Sequence, residues 1–194
     1  MKRIILLLVF HFSLFTFHSV LAQKTISDVY ANAPDSVFPL LTKNNRLDQI
    51  DFRENNMKAE VKNRFEGRSE LLVLNDKYLQ LRLSEHCTVE MRLVSDTTFC
   101  MVQTYCAPAA DSRIRLFDTA WHELPTTIER PAVGDFLSED IDIDVRLALQ
   151  ALPLIKASLS ADDNSITFEL QTTELTREQR QKTEGKVHSI TRNI

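Results

Sequence analysis

The sequence KAEVKNRFEGRSELLVLNDKYLQLRLSEHCTVEMRLVSDTTFCMVQTYC, residues 58–106, decides the fold of this chain. Apolar and polar residues alternate along it, with the period of two that places every second side chain on the same face of a β-strand. Short polar gaps interrupt the alternation at 66–67, 75–76, 85–86 and 95–98. Because gaps this short are typical of β-hairpins, the pattern predicts an antiparallel meander. Its five strands are predicted at residues 58–65, 68–74, 77–83, 87–94 and 99–106.

The segments on either side of the meander predict further strands and a few short helices. A sixth strand is expected at 112–117, a helix at 145–152, a hairpin from 154–159 and 166–170, and a last strand at 186–194. Thr176 and Gln179 have the spacing of a capping box, which satisfies the free amides of a first helical turn. Before the meander, apolar residues from Ile26 to Leu41 recur at helical spacing. Pro34 and Pro39 lack the backbone donor of a helix interior, so two short helical pieces are expected there.

Together these segments predict an α+β fold, an antiparallel β-meander sheet with a few short helices packed on it. The first 22 residues have a different pattern: Lys2 and Arg3 precede an apolar run at 4–17, and small residues end at Ala22. That pattern predicts a signal peptide at 1–22, cleaved after Ala22. We expect residues 23–194 to form a single globular domain, exported to the periplasm or the extracellular space and soluble after cleavage. An uncleaved membrane anchor is the alternative, but the run is shorter than the ~20 apolar residues of a spanning helix.

The charge of the chain excludes some classes of partner. Lys2 and Arg3 lie in the predicted leader, so the remaining chain carries 21 Lys and Arg against 27 Asp and Glu, a net charge of −6. An acidic chain without a basic run repels phosphate backbones, so no nucleic-acid partner is expected. No transmembrane anchor is expected in the mature chain.

Three cysteines allow at most one intramolecular disulfide. If residues 95–98 form a four-residue loop, Cys87 lies opposite Cys106, at a separation that suits a bond between strands. A two-residue turn makes them diagonal neighbours instead, and no bond at all is a further alternative. Cys100 is expected to be a buried free thiol. A catalytic thiol is disfavoured, because His86 and Cys87 are strand neighbours that point to opposite faces.

The same loop length predicts a half-apolar face on this hairpin. It would carry Glu90 and Arg92 on one strand and Phe99, Met101 and Tyr105 on the next. A helix of the same chain is one possible cover. The alternative is a binding face at Phe99, Met101 and Tyr105 for an unknown protein or a small hydrophobic ligand.

No catalytic, cofactor-binding or metal-binding residues are predicted, and no cofactor is expected. His86, His122 and His188 lack metal-ligand spacing. The acidic run 138–144 lacks the glycine and the distant glutamate of an EF-hand loop. The sequence also lacks the Gly-x-Ser-x-Gly elbow and a glycine-rich phosphate loop. Trp121 is expected to hold a strand end in the core; the alternative is a stacking platform for sugar or peptide.

Several runs of this sequence resemble one known family. They are Pro34–Ser36, Leu41–Asp48 (LTKNNRLD), Ile50–Phe52, Met57–Val61 and Cys106–Ile114 (CAPAADSRI), with Trp121 downstream. They resemble a domain-of-unknown-function family of small secreted proteins from Bacteroides-like bacteria, over nearly the whole mature chain. The resemblance implies export to a Gram-negative envelope and no established activity, and it supplies no catalytic residues.

The function therefore stays unknown at this level, and three hypotheses compete. The first is a non-catalytic binding or structural module of the envelope. The second is a hydrolase without a recognisable motif, for which Asp111, Arg113, His122 and Glu123 would have to surround one strand end. The third is a secreted inhibitor-type protein, which would expose Phe99, Tyr105 and Trp121 together. An enzyme is the less expected class.

Overall fold

The predicted meander forms, in a computed structural model that describes residues 24–194. The predicted signal peptide lies outside the described residues. Seven antiparallel strands follow one another in sequence order across one sheet. They are β1 (Glu60–Lys62), β2 (Arg68–Leu74), β3 (Tyr78–Ser84), β4 (Cys87–Leu93), β5 (Thr98–Cys106), β6 (Ala110–Asp118) and β7 (Glu123–Leu124).

A second antiparallel sheet has three strands in the order β10-β9-β8. These are β8 (Ile155–Leu159), β9 (Ser165–Leu170) and β10 (Ile190–Asn193). The helices among residues 24–194 are α1 (Ile26–Ala31), α2 (Lys43–Glu54), α3 (Ile143–Ala151), α4 (Arg177–Gln181) and a 3-10 turn at Val133–Phe136. The α+β prediction is confirmed. No helix in this part of the chain is long and apolar enough to cross a membrane.

The large sheet has a hydrophobic core on each face. The first core lies between the sheet and the segment 26–52, where side chains such as Ile26, Phe38 and Leu41 pack against Leu81 and Met91. Both helices there begin at a threonine capping box, Thr25 for α1 and Thr42 for α2. The segment with both prolines forms turns between them, because proline cannot donate the hydrogen bond of a helix interior.

The second core lies between the large sheet and the small one. Cys100 and Val102 of β5 pack there with Phe136 and Phe168. The small sheet lies against β4, β5 and β6. The same face of the large sheet stays accessible at β1 and at the neighbouring ends of β2 and β3, where Lys62, Arg68 and Arg82 are exposed.

Side chains of the large sheet attach the edge of the small one. β8 pairs with β9 on one side only, so its N–H groups at residues 155, 157 and 159 point away from β9. Each is bonded by a side chain of the large sheet: Ile155 by Asp111 Oδ1 (3.0 Å), Ala157 by Ser112 Oγ (2.8 Å) and Leu159 by Glu90 Oε2 (2.6 Å). Unpaired edge groups invite pairing with other chains, so these contacts also protect the strand edge.

Replacing Ser112 with alanine is expected to lower the free energy of unfolding by about 1–2 kcal/mol. The change leaves the Ala157 N–H and the Thr104 hydroxyl without their buried partner. Urea unfolding followed by circular dichroism measures the loss. Ser158→Ala is the matched control, since Ser158 is half-buried on β8 and its hydroxyl makes no hydrogen bond to residues 24–194. Equal losses in both variants would show that the Ser112 hydroxyl does not hold the edge.

Candidate functional site

A polar groove of about 600 Å³ opens on the accessible part of the large sheet. We call it the β1–β3 groove. It is lined chiefly by Glu60, Asn63, Arg68, Glu70, Arg82 and His86. These residues come from three consecutive strands, the loop between β1 and β2 and the turn after β3. The groove therefore depends on strand pairing as well as on local sequence.

The strand register brings the charged residues of the groove to one face. Glu60 lies opposite Glu70, and Glu70 lies opposite Arg82 on the next strand. Directly opposed residues share a face of an antiparallel sheet. The intervening residues, Val61 and Leu71, point into the first core. Burial of the opposite face therefore holds this row of charges in place.

The two carboxylates of the row are partly buried, and each is paired with at least one cation. The side chains of Glu60 and Glu70 are 16% and 15% exposed. Like charges on opposed strands repel each other, so each carboxylate needs compensation. Glu60 binds Lys58 Nζ at 2.7 Å and also pairs with Arg68. Glu70 pairs with Arg82.

The hydrogen bonds from Lys58 and Arg68 hold the pKa of Glu60 below its usual value. Glu60 is therefore ionised at neutral pH and is not suited to act as a general acid. The groove presents carboxylate acceptors beside guanidinium donors. Glu60 and Glu70 are paired with cations, whereas Glu85, also in the lining, forms no ion pair with residues 24–194.

The loop between β1 and β2 borders the groove and is organised by Asn63. Asn63 Oδ1 accepts hydrogen bonds from the backbone N–H of Phe65 (3.0 Å) and of Gly67 (3.1 Å). Its Nδ2 donates to Ser69 Oγ at 3.2 Å. Glu66 has a positive φ of 65°, which closes the loop. The tip of this loop carries Phe65, whose side chain is 74% exposed.

The sequence interpretation missed this groove. The alternation put Glu60, Arg68, Glu70 and Arg82 on one face of successive strands, which is the ordinary pattern of a solvent-exposed face. A usable signal was the Asn63–Gly67 loop, which determines that Glu60 pairs with Glu70. Two directly opposed glutamates repel each other unless cations compensate their charges. The Glu60–Glu70 pairing therefore indicates that other charged groups gather on this face of the sheet.

The predicted binding face at Phe99, Met101 and Tyr105 does not form. Phe99 and Met101 are 0% and 1% exposed in the first core, and Tyr105 is 52% exposed. The cover is the helical segment of the same chain, the first of the two possibilities given by the sequence analysis. Glu90 and Arg92 were expected on this face but lie opposite Val102 and Cys100, on the face of the second core.

The reason for the difference is a shift in register by one residue. Phe99 pairs with Leu93, whereas the four-residue loop required it to pair with Val94. A shift by one residue moves a side chain to the other face of a sheet. Cys87 therefore lies opposite Tyr105, and the backbone N–H of Cys106 bonds to His86. The predicted Cys87–Cys106 disulfide is not formed: Cys87, Cys100 and Cys106 are free thiols.

Thiol labelling should distinguish the three cysteines. Cys106 is exposed, whereas Cys87 and Cys100 are buried. Burial raises the pKa of Cys87, and it raises that of Cys100 to about 12, so both stay protonated and unreactive near neutral pH. We expect one equivalent of Ellman's reagent to react fast with the native protein and three in denaturant. Cys106→Ser should abolish the fast phase. Only one reactive thiol in denaturant would instead indicate a disulfide.

The hydrolase candidates are not brought together. Asp111 lies at the start of β6 and bonds Arg130 and the N–H of Ile155. His122 lies beyond the other end of β6, with Nδ1 at 2.8 Å from Asp118 Oδ2. Asp118 lies seven positions after Asp111 along the strand, roughly 23 Å at 3.3 Å per residue. The four residues of this hypothesis therefore do not surround one strand end.

Trp121 holds the end of the sheet in the first core, as predicted. Its ring lies edge-on to Phe38 and Phe99, and its Nε1 donates to the carbonyl of Val29 at 2.9 Å. Phe99, Tyr105 and Trp121 are not exposed together, which argues against the inhibitor-type surface. Among residues 24–194, no three or more His, Cys, Asp and Glu side chains are grouped to hold a metal ion.

Comparisons with known proteins locate this fold among uncharacterised ones. Residues 18–190 match the family model described as Protein of unknown function (DUF3256). One similar solved structure is described as a domain of an uncharacterized protein from Porphyromonas gingivalis W83. That likeness covers 87% of this chain and 92% of that chain, with a TM-score of 0.70 and 22% sequence identity, so it concerns the fold alone. No curated protein matches the chain.

Proposed function

The chain belongs to the family described as Protein of unknown function (DUF3256), and from that premise we propose a role based on the β1–β3 groove. The protein is an exported, non-catalytic binding module of a bacterial envelope, and it holds a polar ligand in this groove. The resemblance to a family of unknown function is confirmed by the family match. Export, a Bacteroides-like source and binding are parts of the proposal.

The observation that carries the proposal is the preformed row of paired charges. Glu60, Glu70 and Arg82 lie side by side in a concave site of about 600 Å³. Sites for small ligands have volumes of about 300–1,000 Å³ and fix their ligands with a few well-placed polar groups. Here the polar groups are held by strand pairing and by ion pairs, so little order has to be created on binding.

The chemistry of the groove favours a polar ligand and favours binding over catalysis. Charged and polar side chains line it, which speaks against the small hydrophobic ligand expected from the sequence. Glu60 is held ionised by Lys58 and Arg68, and a carboxylate held in this way cannot supply a proton to a leaving group. The leader pattern at residues 1–22 supports export.

Nuclear magnetic resonance titration tests binding in the groove. The protein, purified as its host exports it, is titrated with soluble fragments of the host's own envelope polysaccharide and peptidoglycan. We expect shifts at the amides of β1, β2 and β3, and their loss in the Glu70→Ala/Arg82→Ala double variant. Lys156→Ala/Glu169→Ala is the matched control, because it removes a cross-strand ion pair from the small sheet. Shifts confined to other surfaces would contradict the proposal.

The mass of the exported protein tests the proposal that the chain is exported and cleaved. We expect the chain to begin at Gln23, because the small-residue pattern ends at Ala22. Intact mass spectrometry of the envelope fraction measures this directly. A chain that retains residues 1–22, or that stays in the cytoplasm, would contradict export.

A further inference from the structure

We propose that the ligand of the β1–β3 groove is a neutral oligosaccharide and that Phe65 is the aromatic platform on which one sugar ring stacks. This inference rests on the proposed binding function and names its ligand class. Three features carry it: the paired charges of the groove, the exposed ring at its border, and the short sheet edge beside it.

The first step concerns charge. Glu60 already pairs with Lys58 and Arg68, and Glu70 pairs with Arg82. A charged ligand would have to compete with these ion pairs, since an anion attracts the cations and repels both carboxylates. A neutral ligand leaves the pairs intact. Counting Glu85, the three carboxylates of the groove are balanced by Lys58, Arg68 and Arg82, so its electrostatics are complementary to a ligand without net charge.

The second step concerns hydrogen bonding. A carboxylate offers about four lone-pair positions and a guanidinium five N–H donors, so an ion pair leaves most of them free for a ligand. Among residues 24–194, Arg82 donates one side-chain hydrogen bond, to Glu70. Sugar hydroxyls are donors and acceptors at once, so vicinal hydroxyls can bridge a carboxylate and its guanidinium. Hydrogen bonds to charged groups are stronger than neutral ones.

The third step concerns Phe65. It lies in the loop between Asn63 and Gly67, which both line the groove; Phe65 is not itself part of the lining, and the residue is 74% exposed. Solvent exposure of a whole phenyl ring leaves a large apolar area in water. The Asn63 hydrogen bonds fix the backbone of the loop, so only the Phe65 side chain has to be ordered on binding. A pyranose has an apolar face of C–H groups and an edge of hydroxyls, which matches an aromatic ring beside a polar groove.

A peptide ligand fits this site less well. Extended peptides bind by adding a strand to an open sheet edge, with pockets for alternate side chains. The sheet edge beside the groove is β1, which has only three residues. The residues that line the groove are charged, polar or glycine, so no aliphatic or aromatic side chain of the lining is available to hold an apolar anchor.

The test is a glycan array of neutral and acidic oligosaccharides, followed by isothermal titration calorimetry with the best neutral binder. Phe65→Ala should raise its Kd at least tenfold, and Phe65→Tyr should leave it within threefold because the ring is kept. Leu147→Ala removes another exposed apolar side chain, on α3, and should not change the Kd. Thermal unfolding of each variant checks that the fold is intact.

The outcomes separate this inference from the proposed function. Binding of acidic oligosaccharides or peptides alone, with amide shifts in the groove, would overturn the neutral-sugar inference and leave the binding function standing. Neutral binding that Phe65→Ala leaves unchanged would overturn the role of the ring. If no probe shifts the amides of the groove, both the inference and the proposed function fail.

Discussion

Replacement of Arg46 by methionine is expected to lower the free energy of unfolding by about 2–4 kcal/mol, the cost of leaving two buried carbonyls without a donor. Arg46 lies on α2 and is 1% exposed. Its Nη2 donates to the carbonyl of Ala33 at 2.6 Å, and its Nη1 donates to the carbonyl of Leu41 at 3.2 Å and to Asp35 at 3.3 Å. Methionine fills much of the volume but donates nothing, so two buried carbonyls lose their partner.

Arg64→Met is the matched control for this prediction. Arg64 pairs with the other carboxylate oxygen of Asp35 at 2.7 Å, but its side chain is well exposed. Exposed ion pairs contribute about 0–1 kcal/mol, so this variant should stay close to the wild type. Chemical denaturation at pH 7 measures both. A loss in Arg46→Met as small as that in Arg64→Met would show that the buried carbonyls do not depend on Arg46.

Replacement of Glu90 by alanine is expected to cost about 2–3 kcal/mol. Glu90 is buried between the two sheets, where it accepts hydrogen bonds from Leu159 N (2.6 Å) and Gln80 Nε2 (3.3 Å). Alanine leaves the Leu159 N–H without an acceptor and opens a cavity. Glu90→Gln keeps an acceptor oxygen at nearly the same volume and should lose much less. Similar losses in both variants would mean that cavity formation is not the cause.

A comparison of the wild type with Glu90→Gln at different pH values tests the titration of Glu90. Burial raises the pKa of Glu90 above its usual value of 4.5, so between the two pKa values the folded state binds more protons than the unfolded state. The contribution of Glu90 to stability therefore falls as pH rises from 4.5 through the folded-state pKa. Glu90→Gln lacks this term, so its stability relative to wild type should increase over that interval. Urea unfolding between pH 4 and 8 measures it; a constant difference would contradict the raised pKa.

Most strands could be predicted because their signal is local. Strands β2 to β6 agree with the predicted ranges to within two residues at each end, and the Thr176 capping box forms as expected. Each depends on alternation, turn residues or a cap within a few positions. The proline-containing segment was predicted as partly helical, but Phe38 and Leu41 lie in turns whose conformation follows from packing against the sheet.

The run Ala110–Arg113 shows why side-chain roles could not be predicted. On the sequence alone, Asp111 is one of the hydrolase candidates and the neighbouring Ser112 has no predicted role. Their actual partners are the N–H groups of Ile155 and Ala157, more than forty residues along the chain. Nothing within the local sequence identifies that contact.

The sequence by itself determined the strands, the meander and the helix starts, because those depend on alternation, turn residues and caps close together in the chain. Tertiary structure decided the register of β4 with β5, and with it the separation of Cys87 from Cys106 and the burial of Phe99. It also decided the β1–β3 groove, whose residues meet only when three strands pair over a buried core. A local pattern specifies which residues of a strand share a face. Which of the two faces is buried depends on contacts between distant segments, since burial is a property of the whole fold.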